Sequence, residues 1–436
     1  MFEEETGKYN KILLVIYVIG LAASAMGDMA IFSYSMSRMM KAISLIIVVM
    51  AVTVLIISGN LNRVKKASSF VGVYAFVLVG IIVWSIFLWI VNLESIDFIF
   101  RGISKFVYQF LVLLVIFSGV YLFGERAIHA TFYGLALANA VIMFINLNKF
   151  GLPASVESIM DLFRGAEAQQ GFAKSMEIHE VTFTFGFFVI YFIFFAKHTR
   201  ERIADIAIAA FFFMLGWKRI AFAALPVAIL AAVIMGLMSP KTRRRFMMVV
   251  AWGFVIFSFV YVVATRTGIF EYVTNTLEID TMGRNEVYSY IEKYYDISLT
   301  FIGYGFEYTT VVLQRIMLTE PNAHLGVLAL HNNILTEYIE LGFVGFWAWL
   351  LYTWVFQLRW MLRHWGEKVA MLFFLSEMYI FITYMTDNTL YYYYTSMTLR
   401  LMPMAYAFHV VDDSEIKTWP WVKERKPNRL YEYLTS

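Results

Sequence analysis

Residues 331–354, HNNILTEYIELGFVGFWAWLLYTW, open a hydrophobic run with an unusual density of polar side chains. His331 stands at the expected start of a helix, whose N-terminus carries a partial positive charge that disfavours imidazolium. A neutral imidazole can accept a proton, so His331 is a candidate general base, with Asn332 beside it as a further site candidate. The competing reading is an interfacial histidine that only caps the helix. Asn333, Glu337 and Glu340 follow at i, i+4 and i+7, on one helical face. Acidic groups in the first turns favour the helix dipole, which accounts for Glu337 without chemistry. Glu340 lies about 13 Å along the helix from His331 at 1.5 Å per residue. At that depth a carboxylate must face protein or a wet cavity. Gly342 and Gly345 are expected to let a neighbouring helix approach closely.

Cations stand elsewhere. Arg219 opens another apolar run beside Lys218, and Arg284 follows Gly283 in DTMGRNEVYSY. Two separated guanidinium groups suit a diphosphate, because each planar fork makes paired charge-assisted bonds. Headgroup anchoring is the alternative, and it fits Lys218 better than Arg219; for Arg284 the alternative is a salt bridge with Glu286 or Asp280. His179 and Glu180, in MEIHEVTF, are secondary candidates that serve equally well as a helix cap. Asp387 heads DNTLYYYYT (387–395), whose aromatics read as an interfacial belt, and it is a further candidate. Glu377 and Arg400 fall at depths that differ by only about 6 Å and read as a buried structural pair. No carboxylate or histidine cluster has metal-ligand spacing, so no metal and no cofactor are expected. The chain has no cysteine, which excludes disulfides, thiolate catalysis and zinc–sulfur sites. No phosphate-cradling glycine loop is apparent, against an ATP-driven enzyme, and nothing points to a nucleic-acid partner.

The elements that must position these residues are apolar. Of 436 residues, 60% are hydrophobic, 18% aromatic and only 15% charged, against about 25% charged in soluble domains. Stretches of roughly 20 apolar residues mark membrane spans. Twelve are expected, at 11–28, 41–60, 70–91, 104–123, 129–149, 181–197, 203–217, 219–238, 246–266, 332–358, 369–386 and 395–411. The fold class is therefore all-α, a single polytopic transmembrane domain over 1–436. The acidic, polar start MFEEETGKYN and the lack of a small-residue cleavage site argue for a retained first span. Basic loops set the orientation through the positive-inside rule. NRVKK (62–66), KHTRER (197–202), PKTRRR (240–245) and RWMLRHWGEK (359–368) all fall on one side when both termini are cytoplasmic. That arrangement requires 203–238 to be two helices, because one span would carry PKTRRR across. Residues 412–436 form a cytoplasmic tail, and 267–330 a large extracytoplasmic loop between the ninth and tenth spans. Within that loop, 285–297 has Val287, Tyr290, Ile291 and Tyr294 at helical spacing, expected as a short helix lying on the membrane.

Taken in order, GWKRIAFAAL, then GR in a large outer loop, then GYG (303–305), then HNN…E…GFVGF resemble the bacterial O-antigen polymerase and ligase superfamily. The resemblance covers about 180–350. It implies a C-type (GT-C) glycosyltransferase in the bacterial cytoplasmic membrane, with its active site on the extracytoplasmic face and no metal dependence. The implied donor and acceptor are glycans on undecaprenyl diphosphate, with a flippase and a chain-length regulator as candidate partners. Carried over by motif, Arg219 and Arg284 hold the donor diphosphate, and His331 acts on the acceptor hydroxyl with inversion at the anomeric carbon. Two departures stand out: Tyr288 where the family often has Trp, and the second asparagine after His331. A polymerase of lipid-linked repeat units is the leading expectation. A ligase to a cell-envelope acceptor is the alternative, and a glycolipid transporter a third, which would place its ionisable groups nearer mid-membrane.

Overall fold

A computed structural model describes residues 2–27, 33–164, 171–176, 179–197, 199–278, 281, 283–319 and 329–411. The tail 412–436 lies outside the described residues, as do 320–328 of the large loop. Among the described residues the chain is helical, with no strand. Each of the apolar stretches is a helix: α1 (Phe2–Met26), α2 (Leu45–Ser58), α3 (Leu61–Val91), α4 (Ile96–Phe123), α5 (Arg126–Phe150), α6 (Thr184–Phe194), α7 (Arg200–Leu215), α8 (Arg219–Leu237), α9 (Pro240–Arg266), α10 (Asn333–His364, with a π-helical turn over Leu351–Phe356), α11 (Glu367–Thr383) and α12 (Tyr393–Val410). Side-chain oxygens begin several of them: Ser95, Thr199 and Ser239 accept from Phe98, Arg202 and Thr242 N–H. The block 203–238 is indeed divided. Trp217 takes a left-handed φ of +44° and Lys218 is extended, which ends α7 and lets α8 start at Arg219.

Among the described residues, seven helices are long and apolar enough to cross a membrane: Met39–Ser58, Leu61–Val91, Ile96–Phe123, Arg126–Phe150, Arg219–Leu237, Pro240–Arg266 and Asn333–His364. Their outer faces are apolar, with Ile56, Phe76, Val83, Leu230 and Val249 all largely exposed. A surface of this kind suits lipid rather than water. The interior is organised around α6, α11 and α12. Phe185, Phe187, Phe188 and Phe192 of α6, Phe373, Phe374 and Phe381 of α11, and Met397, Leu401 and Met404 of α12 are buried. α12 packs on α4, α5, α6 and α11, and α10 packs on α3 and α9. The turn joining α11 to α12 is thereby carried by the most enclosed pair of helices.

The large loop folds into short helices, Ile269–Thr276, Arg284–Ile291 and Tyr308–Thr319. The helix expected on the membrane surface ends at Ile291, and Val287, Tyr288 and Ile291 are buried in protein. The helix packs on Tyr308–Thr319, and Tyr288 reaches Asn332, so burial within the protein accounts for the apolar spacing of Val287 and Ile291. Gly342 also differs from expectation. It sits at φ +69° and interrupts α10, and it meets the GYG turn instead of a helix. A Cβ on Gly342 would lie 2.1 Å from the Ile302 carbonyl carbon, and one on Gly303 would lie 2.4 Å from Gly342 N. Gly305 N–H donates to Glu340 O at 2.8 Å and Phe343 N–H to Phe301 O at 2.8 Å, so the turn fills the gap the kink leaves. Gly345 does allow a close approach, with the Trp84 indole of α3 2.8 Å from where its Cβ would stand.

Gly342→Ala should therefore lower the thermal unfolding midpoint in detergent, at a cost on the order of 2–4 kcal/mol. Gly253→Ala, where the added methyl meets open space, should leave the midpoint unchanged or slightly raised.

Candidate functional site

The start of α10 is where distant segments meet. Asn332, not His331, is the N-cap: its Oδ1 accepts from Leu335 N–H at 3.0 Å. The capping reading of His331 therefore fails. His331 stands one residue before the cap at φ +48°, a conformation that L side chains rarely adopt. Asn332 is fully buried, and its Nδ2 donates to the hydroxyls of Tyr261 and Tyr288, both at 2.9 Å. Asn333 N–H donates to Tyr384 O at 2.8 Å, and its Oδ1 accepts from Leu390 N–H at 3.0 Å. The two asparagines thus tie α10 to the large loop on one side and to the α11–α12 turn on the other.

Asp387 lies in that turn, with a side chain only 9% exposed. His331 Nδ1 is 3.7 Å from Asp387 Oδ1, longer than a hydrogen bond but within ion-pair range. Lys218 Nζ is 3.9 Å from Oδ2, and the Tyr392 hydroxyl donates to Oδ1 at 2.8 Å. Burial by itself would raise the Asp387 carboxyl. Contact with His331, the Lys218 charge and the Tyr392 hydroxyl outweigh it and hold the group well below the usual carboxylate range. The result is a fixed carboxylate behind Nδ1 of a histidine that is 30% exposed, which orients the ring and leaves Nε2 as the nitrogen that can take a proton.

Arg284 starts its short helix behind Gly283 and reaches the same turn. Its Nη2 donates to Thr386 O at 3.0 Å and its Nη1 to Thr281 O at 3.2 Å. Among the described residues its buried Nε has no hydrogen-bond partner, and neither does the Thr386 hydroxyl oxygen. An orphaned guanidinium N–H is an open valence for an anion. Burial raises the Tyr288 hydroxyl, against its bonds to Asn332 and Tyr261 and the nearby Arg284 charge.

The other candidates divide. Lys218 joins the cluster through Asp387, whereas Arg219 begins α8 with an exposed side chain. Glu337 is fully buried; its Oε1 accepts from the Tyr391 hydroxyl at 2.7 Å and its Oε2 has no partner among the described residues. Glu340 is buried at the kink, where Oε2 accepts from Glu307 N–H at 2.8 Å and Oε1 from the Thr309 N–H at 3.1 Å and hydroxyl at 2.6 Å. It caps the helix Tyr308–Thr319 from another part of the chain, and this answers why a carboxylate sits so deep. Glu180 pairs with Lys41 at 2.6 Å and accepts from Tyr393 N–H at 3.3 Å. It borders a separate cavity of about 100 Å³ with Lys105, Gln109 and Tyr391. The His179 side chain lies outside the described residues. Glu377 is buried near Arg400, but the contact is electrostatic at longer range; Arg400 Nη1 donates instead to Gln109 Oε1 at 3.4 Å. An apolar groove of about 310 Å³ runs between α3 and α10, lined by Phe76, Trp84, Leu341, Gly345 and Tyr352. Among the described residues no group of three or more His, Asp and Glu side chains could hold a metal ion.

Tyr261, Thr386 and Tyr392 were not singled out from the sequence, since an aromatic or a threonine at a helix end carries no chemical signature of its own. No protein-family model matches the chain, and neither does any curated protein.

The depressed Asp387 carboxyl contributes stability that is fully present above the unfolded value of about 3.9 and is lost as pH falls through the lower folded value. The unfolding-midpoint difference between wild type and Asp387→Asn should be at its full size at pH 5 and shrink toward pH 3. A difference that instead widens over that interval would show the carboxylate is not held by its cationic neighbours.

Proposed function

We propose that the chain is a metal-independent glycosyltransferase of the O-antigen polymerase and ligase type, moving a glycan from undecaprenyl diphosphate onto a lipid-linked repeat unit. The observation that carries the reading is the convergence of His331, Asp387, Lys218 and Arg284 on one turn, from parts of the sequence up to about 170 residues apart. In this reading the twelve helices are twelve spans of a GT-C-type protein with cytoplasmic termini, and the turn between α11 and α12 faces outward. The apolar groove between α3 and α10 suits a polyprenyl tail, which must enter from the bilayer.

The chemistry follows from the arrangement. The bond from the sugar C1 to the diphosphate oxygen breaks as the acceptor oxygen attacks C1 from the opposite face, which inverts that carbon. The acceptor proton passes to His331 Nε2, while Asp387, in ion-pair range of Nδ1, offsets the imidazolium that forms. The bonding pair leaves with the diphosphate. Its developing charge is met by Arg284, whose Nε lacks a partner among the described residues, with Arg219 exposed at the start of α8 and Lys218 adjoining. His331, Asp387, Lys218 and Arg284 gather at helix ends rather than mid-helix, which favours an enzyme over a transporter.

Purified protein in proteoliposomes, given only its lipid-linked repeat unit, should form longer glycans resolved on a gel. His331→Ala should slow this by about 10²–10⁴-fold and Arg284→Ala by about 10²–10³-fold. Single transfer to a different envelope acceptor, with no elongation, would select the ligase. Unchanged glycan length in both variants would remove the assigned site.

A further inference from the structure

The opposite end of α10 carries a second charged feature. Arg359 and Arg363 lie near its C-terminus, about 40 Å along the helix from His331, which is more than the thickness of a hydrocarbon core. They face Arg244 and Arg245 in the first turns of α9 across a groove of about 440 Å³, floored by Met248, Val249 and Leu362. The neighbouring carboxylate is already committed. Glu367 pairs with Arg243 through Oε1 and Arg244 through Oε2, both at 2.9 Å. The side chains of Arg245, Arg359 and Arg363 have no hydrogen bond or ion pair among the described residues. Among the described residues, three guanidinium groups thus face one groove without a counter-charge.

The surface leading away from the groove is apolar. Arg245, Val249, Trp252, Ile256 and Val260 fall at i, i+4, i+7, i+11 and i+15, one exposed stripe of α9. The stripe runs from the arginines toward the other end of the bundle. A soluble anion would use the arginines and leave this stripe bare. A phosphate-bearing headgroup with an acyl chain uses both, because the guanidinium forks grip the phosphate and the chain lies along the stripe. The uncompensated positive charge selects a net-negative headgroup over a zwitterionic one.

We propose that the groove between α9 and the end of α10 is a binding site for an anionic phospholipid, whose acyl chain follows the exposed stripe of α9. This needs only that the chain spans a bilayer, and it is independent of the glycosyl-transfer reading. If that reading holds, the site lies in the cytoplasmic leaflet, across the membrane from His331.

The test uses the full chain in neutral detergent, read by native mass spectrometry and by the shift in unfolding midpoint. Added phosphatidylglycerol should be retained and raise the midpoint, while phosphatidylcholine and glycerol phosphate should do neither. The triple variant Arg245→Gln, Arg359→Gln, Arg363→Gln should bind phosphatidylglycerol about tenfold or more weakly, and the matching triple Arg→Lys variant should recover part of the loss. In the wild type, raising salt from about 0.05 to about 0.5 M should weaken retention. Equal retention of phosphatidylcholine, equal competition by glycerol phosphate, or unchanged binding in the glutamine variant would each overturn the proposal. Salt-insensitive retention by the wild type would also overturn it if the variants do not fold. None of these outcomes depends on glycosyl transfer, so the two proposals fail separately.

Discussion

A buried amide pair holds this end of the molecule together. Asn332 and Asn333 follow one another at the start of α10, and their backbone and side chains reach in opposite directions. Asn332 engages two tyrosine hydroxyls, Tyr261 at the end of α9 and Tyr288 in the large loop. Asn333 engages the backbone on both sides of the α11–α12 turn, at Tyr384 and Leu390. In an apolar bundle a polar group without a partner is costly, so these bonds leave the segments little freedom to separate. The left-handed His331 is a consequence: the residue before the cap must turn the chain back from the loop into α10.

The same constraint operates one layer deeper. Glu340 would be an expensive carboxylate in lipid, yet it receives three donors from Glu307 and Thr309 and so begins the helix Tyr308–Thr319. The Gly342 kink opens the α10 backbone, and the GYG turn docks into the opening with Gly305 N–H on Glu340 O. Gly342 and Gly303 are both needed because backbone meets backbone where a Cβ would stand. This joint connects the large loop to the bundle, and through the loop it fixes where Arg284 can reach.

Charge is distributed along the molecule in two different ways. At the start of α10 each cation meets an anion or a carbonyl, with Asp387 shared among His331, Lys218 and Tyr392. At the far end of α10 the arginines outnumber their carboxylate, and Glu367 is already shared by two. A balanced cluster is held by its own pairs, and an unbalanced exposed one presents net charge to its surroundings. A single long helix with its kink and π-helical turn holds these two environments apart.

Helix positions were legible in the residues because lipid-facing helices need long unbroken apolar runs, and the positions of α1 to α12 follow those runs closely. The basic loops also carried the division of 203–238, since charge placement and the Trp217 break agree. His331 and Arg284 were recognisable as chemistry-bearing types at helix starts. What the residues could not convey was pairing. Asp387 was a candidate with no assigned partner until folding set it behind the imidazole, and Lys218 read as a headgroup anchor beside Arg219 until folding aimed it at that carboxylate. Glu340 was an isolated carboxylate until the GYG turn supplied its donors. Apolar length is a local property that the sequence determines by itself. Which buried polar group meets which depends on how segments more than a hundred residues apart close on one another, and only the tertiary structure decides that.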